Sequence, residues 1–446
     1  MLKPRIKILT LNVNLKPSKQ TTFVVFTIKL CHSFNVNQNH KRLMKKHIVC
    51  IASFFKGNEF FEECHDRNWR VTLVTSEKLL DEAWAWTSLS EVKTVHNAAT
   101  QEDYIRAVTN IAGTRPIDRI VGIDEFDVLT AAKAREHLQI EGMSGSYLLR
   151  FRDKLRMRNT AIAAKLPCPE FVGVFNQADI KDFLETVPAP WIIKPRTEVN
   201  AHGIRKCYTE DEVWQTLNDF DNRHTWRDHP SQFLIERFVE GEVFHVDSVV
   251  EGGKVAASGV SGYGAPPFKV SHQGGVFTTA VLPYKSKQRK ELEKLNKQLL
   301  KTFGYERGVA HAEFLQCAET GEFYLLEVAA RVGGAYIADV LEQASGFNLW
   351  REWAKLETAA KDDSYKKPKL RKDYAGIVLC LAKQENPDTS HYTDSEIVYR
   401  VTKPNHVGFI FHSKKRERID ELLVDYTERL SKEFLSVVPT KHRHDE

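Results

Sequence analysis

Between residues 47 and 138 short apolar runs alternate with stretches of helical spacing. Residues 48–52, 71–75, 92–95 and 117–123 read as strands, whereas 58–67 and 101–112 have helical patterns. Strand and helix in alternation predict βαβ units and a parallel sheet, hence an open α/β domain. The first strand is not followed by G-x-G-x-x-G, which argues against a dinucleotide site there. A basic helical stretch over 146–166 then runs into Pro167 and Pro169, where proline ends it. Strand signals return at 171–175, 191–194, 232–238, 242–250 and 255–260, the last two joined by Glu251-Gly-Gly-Lys254, a hairpin turn. A charged helix is expected over 285–303 and a helix broken at Gly346 over 335–356. Strands at 376–382, 396–401 and 407–412 close the chain with a helix whose Ile419, Leu422, Leu423, Tyr426, Leu430 and Phe434 form one apolar stripe. No internal repeat is visible. The pattern as a whole is α/β followed by α+β.

One hairpin carries more information than its fold. In His311-Ala-Glu-Phe-Leu-Gln-Cys-Ala-Glu-Thr-Gly-Glu-Phe-Tyr-Leu-Leu-Glu-Val-Ala-Ala-Arg331, a turn at 319–322 makes positions whose numbers sum to about 640 face each other, so Glu313 opposes Glu327 and His311 opposes Ala329. Like charges directly opposite on an antiparallel pair are destabilising, and the flanking Ala310, Ala312, Phe314, Leu326 and Val328 read as half buried or more. A cation removes the conflict. Magnesium bound with a nucleotide suits such a pair, because it keeps several waters and takes few protein ligands. Two exposed glutamates on a solvated face are the plainer alternative.

Composition narrows the partners. The 446 residues, 42% hydrophobic and 28% charged, allow two or three domains with substantial cores, and no apolar run reaches the length of a membrane span. The net charge of +5 is uneven: residues 1–43 hold eight Lys or Arg and no acid, leaving 56 basic and 59 acidic residues beyond them. The folded body therefore lacks a nucleic-acid footprint. Residues 1–43, without periodicity and with a run at 21–31 interrupted by Lys29, read as a disordered or adventitious extension rather than a targeting peptide, with Met44 as a plausible functional start. Seven scattered cysteines without C-x-x-C point to reduced thiols in the cytoplasm and against zinc.

Two lysines suit phosphate chemistry by position. Lys154 lies on the basic helix, where a solvated face would also explain it, and Lys194 ends the apolar strand that starts at Trp191, just before Pro195. Leu234-Ile-Glu-Arg-Phe-Val-Glu-Gly-Glu242 gives a strand running into an extended segment whose backbone could meet a planar heterocycle while Glu242 reaches a sugar hydroxyl. In this order the residues resemble the ATP-grasp superfamily of carboxylate-amine ligases, whose members include biotin carboxylase, carnosine synthase and bacterial amino-acid ligases. The resemblance implies a pre-ATP-grasp α/β domain at 44–145, an ATP-grasp domain of two ATP-clamping lobes at 146–365, and an α+β section packing on it at 366–446. It implies that Lys154 and Lys194 contact ATP phosphates and that Glu236, Arg237, Phe238 and Val239 form the adenine-binding hinge. Glu242 would bind ribose, Glu313 and Glu327 would ligate Mg²⁺ (Mn²⁺ being an allowed substitute), and Arg331 would stabilise the acyl-phosphate and the tetrahedral species after it.

Two departures from the family pattern stand out. Ala329 occupies a position where many relatives carry a metal-binding Asn, leaving water, ATP or His311 to complete the shell, although a packed strand histidine also explains His311. The phosphate-covering loop, glycine-rich in many relatives, is Arg196-Thr-Glu-Val-Asn-Ala-His-Gly203, so Arg196 and His202 are added candidates beside a plain surface-loop reading. On the acceptor side, Lys269 and His272 lie in a Gly/Pro-rich connection over 262–275, and Gly333 and Gly334 precede a helix whose N-terminus suits a carboxylate. Both places have structural explanations too. The implied reaction joins a carboxylic acid or amino acid to an amine through an acyl-phosphate, with ADP and phosphate released. Bicarbonate activation and nucleotide binding without turnover are the alternatives. Expected partners are small carboxylates and amines, neither nucleic acid nor membrane, with a homodimer allowed.

Overall fold

The computed structural model describes residues 45–199, 203–222, 229–359 and 365–436, with the side chains of 271–273 outside that description. The expected extension at 1–43 and His202 lie outside the described residues, as does the side chain of His272. The first domain follows from its alternating pattern. Strands β1 (His47–Ala52), β2 (Arg70–Ser76), β3 (Glu91–Val95) and β4 (Arg119–Gly122) form a parallel sheet in the order β3-β2-β1-β4. Every residue of β1 is buried because helices cover both faces, which is why the strand reads as an unbroken apolar run. The order reverses between β1 and β4, a switch point whose crevice lies beyond the carboxyl ends of those strands.

The basic stretch expected as one helix over 146–166 is broken. Gly145–Leu148 is helical, a 3-10 turn follows, and a second helix starts at Lys154–Ala163. Asp153 causes the break: its carboxylate accepts from the N–H groups of Leu155 at 3.0 Å and Arg156 at 3.3 Å, capping the new helix and leaving Lys154 as its first residue. Next comes a small lobe of β5 (Phe171–Gly173), β6 (Trp191–Pro195), β7 (Arg205–Cys207) and β8 (Phe233–Arg237), antiparallel in the order β5-β8-β6-β7. Ile193, Ile235, Phe183 and Leu217 lie in the core between this sheet and its helices Gln177–Thr186 and Glu210–Asp221.

The large lobe is an eight-stranded sheet. Strands β9 (Gly241–Glu251), β10 (Lys254–Tyr263), β11 (Phe277–Val281), β12 (Arg307–Cys317), β13 (Phe323–Ala329), β14 (Tyr374–Leu381), β15 (Ile397–Arg400) and β16 (His406–Ser413) take the order β13-β12-β9-β10-β11-β14-β16-β15. Gly252 and Gly253, at φ of 55° and 72°, make the two-residue turn between β9 and β10 that Glu251-Gly-Gly-Lys254 predicts. The helix expected over 335–356 is split into Ile337–Ser345 and Leu349–Thr358 at Gly346, which adopts φ 76°. The second of these packs on Asn58–Asp66 of the first domain, with the rings of Phe60 and Trp353 4.8 Å apart. The apolar stripe of the last helix, Arg416–Glu433, is buried against β14 and β16. No helix of the described residues is long and apolar enough to cross a membrane.

Candidate active site

The two glutamates face each other as the turn geometry predicts: Glu313 of β12 pairs with Glu327 of β13, and His311 with Ala329. The register slips just beyond Glu313, where Phe314 pairs with Leu325, so Leu326 is an extra residue of a bulge. A bulge frees a carbonyl, and that of Leu326 is taken up by Arg158 Nη2 at 2.8 Å. Both carboxylates line a cavity of about 780 Å³ shared by the small lobe and the large sheet, together with Lys154, Lys194, Lys206, Arg331 and the segment 236–241.

The protein itself answers part of the repulsion between the glutamates. Glu327 accepts from Lys154 Nζ at 3.0 Å, and Glu313 accepts from the Tyr263 hydroxyl at 2.7 Å with His311 Nε2 3.5 Å away. Burial pushes the Glu313 carboxyl up, but His311 and Tyr263 more than reverse it and bring it to about 2. His311 is tied at its other nitrogen: Nδ1 meets Asp247 at 2.8 Å, and Asp247 also receives His245 Nδ1 at 2.6 Å. Burial alone would lower the His311 pKa, yet the Asp247 charge raises it to about 9, and Asp247 is held far below the usual carboxylate range. The adjacent pairs His311 with Asp247 and Glu313 with His245 place all four side chains on one face of β9 and β12. His311 therefore spends both nitrogens on carboxylates and supports Glu313 rather than filling the place left by Ala329. The donor set left to the cavity, two hard carboxylate oxygens ringed by cations, fits a magnesium ion accompanied by phosphates.

Lys154 does not sit on a solvated face. It is 6% exposed, and its Nζ also donates to the Glu198 carbonyl at 2.7 Å. Lys194, 4% exposed, stands 2.6 Å from Glu236, whose other oxygen accepts from Arg158 Nε at 2.8 Å. Burial drives the Lys194 pKa down to about 8 even with Glu236 beside it; the same carboxyl, despite its own burial, is held low by Arg158 and Lys194. Glu236 is thus committed by its side chain to an internal ion triad, while residues 236–239 line the cavity. Arg237 Nε binds Glu170 at 2.7 Å, and Lys206 Nζ lies 3.5 Å from the centroid of the Phe238 ring.

Arg331 follows β13 and lines the cavity, with Nε 2.7 Å from Glu125 of the first domain. Other expected residues fall elsewhere. Glu242 is exposed and outside the cavity lining, where Glu240 is found instead. Gly334 lines the cavity but Gly333 does not: a Cβ on Gly333 would sit 2.9 Å from His311 Nδ1 and 3.0 Å from Asp247, so that glycine lets the backbone pass close to the buried pair. Lys269 reaches the lining from the short helix Pro267–Gln273. Arg196 pairs with Asp153, anchoring the start of its loop. The sequence reading missed Glu125, Arg158, His245, Asp247 and Tyr263. His245 and Asp247 were findable, being polar residues two apart in an apolar strand; Glu125 and Arg158 meet their partners only through folding.

Comparison with known proteins agrees with this fold. Residues 187–339 match the model of the ATP-grasp domain. The chain is 25% identical over 256 residues to the L-arginine-specific L-amino acid ligase of Bacillus subtilis, covering 57% of this chain and 60% of that protein. It is 24% identical over 205 residues to the D-alanine–D-alanine ligase of Acidovorax ebreus, covering 44% and 59% respectively. The chain thus spans somewhat less than two thirds of these relatives' length. In fold it is similar to the L-amino acid ligase from Bacillus licheniformis, with a TM-score of 0.69 at 16% identity over 89% of this chain and 99% of the other. It is similar also to N5-carboxyaminoimidazole synthetase from Staphylococcus aureus, with a TM-score of 0.66 at 13% identity over 86% and 98%. Residues 187–339 thus match an ATP-grasp domain, within a fold that the chain shares with these solved structures over most of its length.

Proposed function

We propose that this protein is an ATP-dependent carboxylate-amine ligase that joins an amino acid or small carboxylic acid to an amine, with ADP and phosphate as the other products. The observation that carries the reading is the facing pair Glu313 and Glu327 at a cavity that also holds Lys154, Lys194 and Arg331. Similarity to the L-arginine-specific L-amino acid ligase supports an amino acid as the activated carboxylate. The domain limits 44–145, 146–365 and 366–446 belong to this proposal.

A carboxylate resists amines because its carbon is a poor electrophile and its oxygen a poor leaving group. Transfer of the γ-phosphoryl group makes that oxygen a good one. In this reading segment 236–239 holds adenine, and Glu240 takes the ribose contact in place of Glu242. Lys154 and Lys194 disperse charge on the transferring group, in a cleft that keeps water from the acyl-phosphate. Mg²⁺, with Mn²⁺ as substitute, would be held by Glu313 and Glu327 and would neutralise phosphate charge when bound. Arg331 then stabilises the oxyanion as the amine attacks. Lys269 and Gly334 border the space where the acceptor would lie. Cys50, Cys64, Cys168, Cys207, Cys317 and Cys380 are unpaired thiols, in keeping with a cytoplasmic enzyme.

Protein incubated with ATP, Mg²⁺ and a panel of amino acids should release ADP and phosphate and form a condensed product visible by mass spectrometry. Absence of carboxylate-stimulated ADP release across the panel would refute the proposal. Release stimulated by bicarbonate without any amine would redirect it to carboxylation.

A further inference from the structure

Arg331 is held in place from another domain. Its Nε donates to Glu125 Oε2 at 2.7 Å and its Nη1 to the Val332 carbonyl at 2.9 Å, which fixes the plane of the guanidinium. Nη2 has no protein partner among the described residues and is the edge left to a ligand in the cavity that Arg331 lines. Glu125 comes from the loop after β4, at the switch point of the parallel sheet, and is 4% exposed. That loop is pinned at several points. Asp127 accepts from the N–H groups of Ser53 at 3.0 Å and Asp124 at 3.2 Å, Asp124 accepts from Phe126 N–H at 3.2 Å, and Lys56 pairs with Asp124. The second oxygen of Glu125 faces Arg152 Nη1 at 3.4 Å. A buried carboxylate on a loop tied down in this way presents a fixed anion to Arg331, whereas a free arginine side chain would sample many rotamers.

We infer that Glu125 is a positioning residue for Arg331, so that the first domain completes the active site and is more than a flank to the ATP-binding lobes. The inference rests on the ligase reading of Arg331. A guanidinium held along its Nε and Nη1 edges keeps Nη2 directed at the developing oxyanion, and preorganised donors of this kind are worth far more than ones that must be ordered during reaction. A purely structural role for Glu125, neutralising Arg152 and Arg331 in the interface, is the competing account.

The test compares wild type, Glu125→Gln, Glu125→Asp, Arg331→Ala and the double variant Glu125→Gln/Arg331→Ala, measuring amide-forming kcat, KM for ATP, and the affinity of a non-hydrolysable ATP analogue with Mg²⁺. Glu125→Gln is expected to lower kcat about 10- to 100-fold with KM for ATP and analogue affinity within about twofold. Glu125→Asp should recover part of the loss, and Glu125→Gln should cost nothing more once Arg331 is gone, because its whole effect runs through that side chain. An unchanged kcat in Glu125→Gln overturns the inference. So does a full multiplication of the two losses in the double variant, or loss of analogue binding in both Glu125 variants, which would mark Glu125 as a folding residue. If wild type itself shows no turnover with any substrate pair, the ligase reading fails instead.

Discussion

Glu236→Gln tests the buried triad most directly. Arg158 is fully buried, Glu236 is 3% exposed and Lys194 4%, so little water can replace a lost partner. Glutamine keeps a carbonyl that can accept from Arg158 Nε, where the carboxylate stood at 2.8 Å. It must turn its NH₂ toward Lys194, where the carboxylate stood at 2.6 Å, setting donor against donor. Removing one partner of a buried ion pair costs about 3–5 kcal/mol, and the retained Arg158 bond points to the lower figure. With a denaturation slope of about 2 kcal/mol per M of urea, about 3 kcal/mol moves the midpoint down by about 1.5 M. The pH dependence has a definite sign. The folded-state pKa of Lys194 is depressed from 10.5 to about 8, so its charge is disfavoured in the fold; stability from this group is present above 10.5 and lost as pH falls through about 8. Without Glu236 the depression deepens, and the penalty of the variant is expected to be larger at pH 6 than at pH 9. Nucleotide binding has its own signature: wild-type affinity for an ATP analogue should weaken above about pH 8 as Lys194 loses its proton, and in Glu236→Gln the weakening should begin at lower pH. Urea unfolding at both pH values and calorimetric titration across the range supply the readouts. A variant within about 1 kcal/mol of wild type, with an unchanged binding profile, would refute the reasoning.

Glu327→Gln should lower turnover at least 100-fold and remove the Mg²⁺ stimulation of nucleotide binding, while the circular dichroism spectrum stays unchanged; retained Mg²⁺ dependence would dissociate Glu327 from the metal. Asp247→Asn removes the anion that raises His311. A folded pKa of about 9 against 6.5 means stability of about 3 kcal/mol that is present below pH 6.5 and lost as pH rises through 9, so the variant's deficit should shrink between pH 7 and pH 10 in urea unfolding. Gly333→Ala should destabilise by about 1–3 kcal/mol because its methyl group meets His311 and Asp247, whereas Gly334→Ala, with nothing within 4 Å, should leave the melting temperature within about 2 °C of wild type.

Much of the fold was legible because burial is written in the order of residues. Strand β1 of the parallel sheet reads as an unbroken apolar run, and Gly252, Gly253 and Gly346 mark turns where φ is positive. The turn placed Glu313 and Glu327 opposite each other to within a residue, because antiparallel register is local arithmetic, and the bulge at Leu326 completes the pairing. The break at Asp153 was misread because a charged helical stretch contains several residues able to cap, and the choice among them is made by tertiary partners such as Arg196. Glu242 was placed at the ribose by the family resemblance and by its position just past the apolar strand. The face it occupies depends on how β9 leaves the segment 238–240, which puts Glu240 at the cavity.

By itself the sequence determined the alternation of elements and the hairpin with its paired carboxylates. These follow from periodicity and turn chemistry, which act over a few residues. Tertiary structure alone decided what each charged group does in its neighbourhood. It turned Glu236 inward to Arg158 and Lys194, gave Glu313 a buried histidine and aspartate for support, and brought Glu125 across 206 residues of chain to Arg331. The physical reason is that the cost of burying a charge depends on which opposite charges fold beside it, and chain order does not record those distances.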